Sequence, residues 1–91
     1  MIRVRLFASL RELAGASEIE IQGRTVAELA DTLSSMHGLR FAAIVSASSF
    51  VVNGERAART TPVAAGDEVA ILPPMSGGSR GTPSVDRGSG A

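Results

Sequence analysis

Only one long stretch of this chain carries helical periodicity, and most of what surrounds it is written in period two. Thr25-Val26-Ala27-Glu28 reads as a capping box, with Thr25 as N-cap and Glu28 at the third helical position. Val26, Leu29, Ala30 and Leu33 then fall at i, i+3, i+4 and i+7, with Met36 following, and form one apolar stripe. Gly38 supplies the stop, so the spacing predicts a helix over Val26–His37. His37 falls in the last turn, where positive charge suits the helix dipole, which predicts a capping or surface role for it rather than a catalytic one. A helix with one apolar stripe must bury it against something, and the segments available here are strands.

Met1 to Phe7 alternates: Ile2, Val4 and Leu6 point one way, and Arg3, Arg5 and Phe7 the other. The arginines solvate an open face, and an aromatic beside them marks Phe7 as a candidate partner contact. Ala8 to Leu13 is short and helix-prone, and Gly15 can end it in a left-handed cap. Ser17 to Gln22 alternates again, with Ile19 and Ile21 inward. Beyond the long helix, Phe41, Ile44 and Val45 predict a further helical turn on the core, followed by a loop over Ser46 to Ser49. Phe50 to Val52 is a third strand, Asn53-Gly54 signals a type I′ hairpin turn, and Glu55 to Ala58 returns. Gly66-Asp67 turns the chain into a last strand, Glu68 to Leu72. Strand, strand, helix and then further strands make an α+β roll. With the first and last strands parallel at the centre of a mixed sheet, this is the β-grasp architecture of ubiquitin-like proteins.

Composition excludes more than it assigns. The 91 residues carry no net charge and are 44% hydrophobic, which suits one small folded domain with no basic face for nucleic acid. No apolar run approaches the roughly 20 residues of a membrane span. The N-terminus lacks the shape of a signal peptide, so a cytoplasmic protein is expected. Cysteine is absent, which removes thiol nucleophiles, thiolate metal sites and iron–sulfur clusters. Lysine is absent too, because all nine basic residues are arginine. With one histidine, a self-contained metal or acid–base site is not expected, and no permanently bound cofactor is called for.

What the composition leaves is the end of the last strand, Leu72-Pro73-Pro74-Met75-Ser76-Gly77-Gly78. Two prolines donate no backbone hydrogen bond and stop the sheet from extending. Beyond them the chain should leave the body as an extended arm. Met75 to Gly78 reaches on the order of 13 Å at about 3.3 Å per residue. Gly77 and Gly78 carry no side chain to obstruct passage through a narrow channel in another protein. The bland reading is a Gly-Gly that merely opens a flexible tail. After Gly78 the composition shifts to Gly, Ser, Pro and three charged residues, with Val85 the one sizeable apolar side chain. The expected organisation is a domain over 1–78 and a flexible tail over 79–91, whose final Gly88-Ser89-Gly90-Ala91 reads as a linker.

Phe7-Ala8, Arg11-Glu12-Leu13 and Gly15, together with Gly66-Asp67-Glu68-Val69-Ala70, Pro73-Pro74 and Gly77-Gly78, are the matching residues of a resemblance that covers Met1 to Gly78. The chain resembles the small subunit of molybdopterin synthase, the MoaD family of ubiquitin-like sulfur carriers in the MoaD/ThiS superfamily. The Pro-Pro pair before Gly-Gly favours that branch over the related thiamine-pathway carriers. The resemblance implies that an E1-like, MoeB-like adenylyltransferase activates the terminal glycine carboxylate with ATP. A sulfur donor then displaces AMP, leaving a thiocarboxylate. The large, MoaE-like synthase subunit accepts the arm, and the sulfur passes to a pterin precursor in molybdenum cofactor biosynthesis. On this resemblance Gly78 is the reacting residue, and Pro73, Pro74, Met75, Ser76 and Gly77 are the arm. Phe7 belongs to the partner surface. No catalytic side chain is needed, because the catalytic groups belong to the partners.

One departure matters. Family members normally end at Gly-Gly, whereas residues 79–91 follow here, and an internal Gly78 offers an amide rather than a carboxylate. Removal of the tail by a protease, an artefactual tail, and loss of the carrier role are the competing explanations. The intact arm favours the first two. Alternatives of function are a carrier for another sulfur pathway, thiamine or cysteine, a ubiquitin-like protein modifier, and a β-grasp module that only binds partners.

Overall fold

The computed structural model describes residues 1–74; Met75, Ser76, Gly77, Gly78 and the expected domain boundary after residue 78 lie outside the described residues. Five strands form one mixed sheet in the order β2-β1-β5-β3-β4. They are β1 (Ile2–Leu6), β2 (Glu18–Ile21), β3 (Ser49–Val52), β4 (Glu55–Ala57) and β5 (Glu68–Leu72). Helices α1 (Ala8–Ala14), α2 (Val26–His37) and α3 (Leu39–Ser46) complete the described chain. β1 and β5 pair in parallel, Val4 opposite Val69 and Leu6 opposite Ile71, while β3 pairs antiparallel to β5. This is the α+β, β-grasp arrangement that the sequence predicts.

Local chemistry accounts for the elements. The Thr25 hydroxyl accepts from the Glu28 N–H at 3.2 Å, and Glu28 reaches back to accept from the Arg24 N–H at 2.9 Å. The reciprocal bond thus lands one residue before the N-cap, still satisfying two donors at the helix start. Gly15 ends α1 at φ 74°, in the left-handed region that an L side chain rarely occupies. Asn53 and Gly54, at φ 51° and 85°, make the turn between β3 and β4 with the two positive values that type I′ requires.

The core is a single cluster between sheet and helices. Ile2, Val4 and Leu6 of β1 and Val69 and Ile71 of β5 meet Val26, Leu29, Ala30 and Leu33 of α2, with Phe41 and Val45 of α3 closing the end. Among the described residues, its buried members run from Ile2 to Ile71.

Two expectations are corrected. Met36 does not join the stripe; it is 58% exposed, because α3 covers the core beyond Leu33. His37 lies in the last turn of α2 as expected but is half-buried rather than a purely surface residue. Its ring packs on Phe41 at 5.0 Å between centroids, and its Nε2 is buried without a hydrogen-bond partner.

Candidate functional site

The open face of the sheet is set by register. Leu6 stands beside Ile71 and both point into the core, so Phe7 and Leu72, one residue on in each strand, are directed to the other side. Ser49 pairs with Leu72 across the other edge of β5. The ends of three adjacent strands therefore converge. Phe7, Ala8, Ser49, Leu72, Pro73 and Pro74 line a concavity of about 480 Å³ with a mainly apolar wall. Among the sequence candidates, the structure brings Phe7, Pro73 and Pro74 together. Gly77 and Gly78, with Met75 and Ser76, lie outside the described residues.

Backbone geometry fixes the rim. Phe7 continues the strand in an extended conformation, and Ala8 then swings to φ 51°. The Phe7 carbonyl accepts from the N–H groups of Leu10 and Arg11 at 3.1 and 3.5 Å, which ties the first turn of α1 to the end of β1. An alanine in the left-handed region costs on the order of 1 kcal/mol. Here the cost lets α1 leave the sheet abruptly and keeps the Phe7 ring at the concavity.

Two ion pairs lie on the open face. Arg3 contacts Glu18, while Arg5 lies 3.7 Å from Glu68. The Arg5 guanidinium also sits 5.5 Å from the Phe7 ring centroid, a cation–π distance. These pairs are exposed and contribute little to stability. They join β1 to β2 through Glu18 and β1 to the start of β5 through Glu68, with Arg5 also facing the Phe7 ring at the edge of the concavity. At the far end of β5, the Ala64 N–H and then the Asn53 amide donate to Asp67, and they lower its pKa from the ordinary 3.8. Asn53 also accepts from the Glu68 N–H at 2.9 Å. This cluster clamps two turns together and stands apart from the concavity.

Sequence reasoning missed Ser49 and Ala8. Ser49 enters only through its pairing with Leu72, which no local pattern reveals. Nothing about an alanine announces a positive φ. Among the described residues, no group of three or more His, Cys, Asp or Glu side chains is placed to hold a metal ion. Nor is any helix long and apolar enough to cross a membrane.

Comparison with known proteins places this geometry. The ThiS family model matches residues 4–78, so the matched stretch ends on Gly78. Small archaeal modifier protein 1 of Haloferax volcanii is 33% identical over 84 residues, spanning 81% of this chain and 97% of that protein. Its crystal structure superposes with a TM-score of 0.67 at 32% identity, covering 85% of this chain and 98% of the other. A putative molybdopterin converting factor subunit 1 from Pyrococcus furiosus gives a TM-score of 0.71 at 28% identity, covering 81% and 97%. A chain of the BexX/CysO complex from Amycolatopsis orientalis gives 0.72 at 28% identity, covering 86% and 100%.

Proposed function

Because the chain belongs to the ThiS family, among the ubiquitin-like sulfur carriers and modifiers, we propose that it carries sulfur as a thiocarboxylate on Gly78 and serves as the small subunit of a molybdopterin synthase. The observation that supports this reading best is the apolar concavity at Phe7, Leu72, Pro73 and Pro74, set where the chain leaves the central strand. A partner that grips this concavity would hold the chain at Pro74, four residues before Gly78, a reach of at most about 13 Å.

The chemistry follows from the terminal carboxyl once residues 79–91 are removed. A carboxylate is a poor electrophile. Its oxygen attacks the α-phosphorus of ATP on an E1-like adenylyltransferase, pyrophosphate leaves, and an acyl adenylate forms. Sulfur from a donor attacks the carbonyl carbon and AMP leaves, giving the thiocarboxylate. A large synthase subunit then receives the arm, and the sulfur passes to the pterin precursor. ATP is the activating partner's substrate, and the chain needs no cofactor or catalytic side chain of its own. The setting is cytoplasmic, and a trimming protease joins the list of partners. The family match that ends on Gly78 supports the choice of that residue.

The test compares three proteins with an E1-like partner and ATP: the full chain, a version ending at Gly78, and that version carrying Gly78→Val. Only the second should release pyrophosphate and, with a sulfur donor, gain about 16 Da as sulfur replaces oxygen. Activation of the full chain with its tail intact would refute the terminal-carboxylate mechanism. Failure of the trimmed form would favour a β-grasp module that only binds.

A second reading is favoured by the match to small archaeal modifier protein 1. There the same activated Gly78 would end in an amide on another protein. Recovery of this chain covalently attached to other proteins in its own cell would select that fate, and recovery of the thiocarboxylate alone would select the first.

A further inference from the structure

Asn53-Gly54 makes the turn between β3 and β4, and the same pair has a chemistry of its own. A side-chain amide stands one residue before a backbone N–H whose own residue has no side chain to shield it. Asn53 is the only asparagine in the chain, and both residues of the pair are exposed. In an open chain such a pair cyclises. The Gly54 nitrogen loses its proton and attacks Asn53 Cγ, forming an N–C bond. The bond from Cγ to Nδ2 breaks, and ammonia leaves carrying a proton. Water then opens the five-membered imide. Entry at Cγ gives aspartate, and entry at the main-chain carbonyl gives isoaspartate. Nothing is oxidised or reduced, and water is the one co-reactant.

The fold opposes this reaction at both ends of the amide. Asn53 Oδ1 accepts from the Glu68 N–H at 2.9 Å, and Asn53 Nδ2 donates to Asp67 Oδ1 at 3.1 Å. The Asn53 backbone N–H donates to the Glu68 carbonyl at 2.8 Å, which fixes the main chain beside it. Asp67 is itself held, because its other oxygen accepts from the Ala64 N–H at 2.9 Å. The amide is therefore committed to the neighbouring turn, and its rotation toward the Gly54 nitrogen costs both bonds. Charge works in the same direction. The hydrogen bonds from Ala64 and Asn53 lower the pKa of Asp67, which keeps it ionised. An anion beside the amide repels the negative charge that the attacking nitrogen brings to Cγ.

We propose that Asn53 is a deamidation site latched by Asp67: the modification proceeds only when the turn at the start of β5 releases the amide. Loss of ammonia is not reversed by the protein, so the product marks molecules in which this end of the sheet has opened. The mark also keeps the end open. An aspartate at position 53 has no donor for Asp67 and sets two carboxylates where the amide bridged. An isoaspartate adds a main-chain atom to a two-residue turn, which disturbs the pairing of Val52 with Glu55 beside it. Opening and modification thus reinforce each other, at the opposite end of β5 from the concavity.

The experiment incubates the full chain in mildly alkaline buffer and follows the tryptic peptide 41–56, which contains the one asparagine. Chromatography separates the parent peptide from its aspartate and isoaspartate products, and mass confirms the exchange of NH₂ for OH. The folded wild-type protein should deamidate at least about tenfold more slowly than the same protein in denaturing urea, because reaction waits on local opening. Asp67→Ala, checked as folded by circular dichroism, should react roughly three- to tenfold faster than the wild type, the worth of one lost hydrogen bond. Leu33→Ala lowers global stability with the latch intact, so while folded it should react at close to the wild-type rate. A folded wild-type rate equal to that in urea would overturn the proposal, and this comparison holds whether or not Asp67→Ala folds. An Asp67→Ala rate equal to or below the wild type would overturn it too, the latter by making the carboxylate a promoter of the reaction. Equal acceleration by Leu33→Ala and Asp67→Ala would assign protection to global stability instead of the latch. No arm of the experiment involves an activating partner or the chemistry of Gly78.

Discussion

Leu33→Ala and Met36→Ala are the same kind of truncation, three residues apart on one helix, and they should differ in effect several-fold. Leu33 is 0% exposed at the centre of the α2 stripe, whereas Met36 is 58% exposed. Truncating Leu33 removes three carbons, worth about 0.8 kcal/mol per buried CH₂. Incomplete collapse around the site adds a cavity term, and the better helix propensity of alanine returns a few tenths of a kcal/mol. A loss of about 3 kcal/mol is expected, within the range of roughly 2–5 for buried leucines. A domain of this size holds roughly 4–11 kcal/mol in total, at about 0.05–0.15 kcal/mol per residue. The variant should therefore stay folded with a thin margin. With a urea slope near ~1 kcal/mol/M, the midpoint should fall by about 3 M. Far-UV circular dichroism is the suitable probe, since the chain has neither tryptophan nor tyrosine. Met36→Ala should stay within about 0.5 kcal/mol of the parent. A Leu33→Ala midpoint within about 1 M of the parent, or equal losses for the two variants, would refute the assignment of the stripe.

Phe7→Ala should weaken binding to a large synthase subunit at least tenfold, about 1.4 kcal/mol, while the urea midpoint moves little because the ring is only half-buried. Unchanged affinity in a titration would remove Phe7 from the partner surface. Ala8→Val should lose roughly 1–3 kcal/mol, since a β-branched residue is strained at φ 51°, and Ala8→Gly should not be destabilised to that extent. Equal stability of both variants would show that the left-handed turn is not maintained. Asp67 has a folded pKa below its ordinary 3.8, so its contribution is fully present above that value and is lost as the pH falls through the lowered one. Asp67→Asn should accordingly flatten the acid limb of the stability profile, measured by thermal melts between neutral pH and about pH 3. An unchanged limb would exclude the turn clamp as its source.

The fold was legible where one residue's environment repeats its neighbour's. Alternation in β1 and β5 and the i, i+3, i+4, i+7 stripe of α2 each report a continuous face, and the structure buries Ile2, Val4, Leu6, Val69, Ile71, Val26, Leu29, Ala30 and Leu33. Legibility failed where one element interrupts another. Met36 continues the arithmetic of the stripe, but the core past Leu33 is filled from α3 by Phe41 and Val45. α3 itself was foreseen as a turn and runs two turns, Leu39–Ser46. Its first residue, Leu39, is 90% exposed and spoils the pattern that would have marked a longer helix. Of the site, Phe7 and the prolines stand out as residue types in unexpected places. Ser49 and Ala8 do not, because their roles come from strand pairing and from a backbone angle.

The position of β5 explains why such a site is workable at all. On the proposed reading, an arm drawn into a partner needs an anchor that does not yield. β5 is the middle strand of five, held by β1 on one side and β3 on the other, with Val69 and Ile71 buried beneath it. Had the arm left from β4, a three-residue edge strand, force on it would act on one ladder and no buried side chain. The opposite demand is that the sheet must not capture the arm. A chain leaving a central strand lies between two neighbours and would tend to go on pairing with them. Pro73 and Pro74 have no N–H to offer, so the ladders end at Leu72. At the same level β1 gives way to α1 at Ala8, and β3 begins at Ser49. Neither neighbour extends past that point to receive another residue. The buried anchor at Ile71 and the end of the ladders thus lie within two residues of each other, and the apolar side chains at that boundary are the ones that line the concavity.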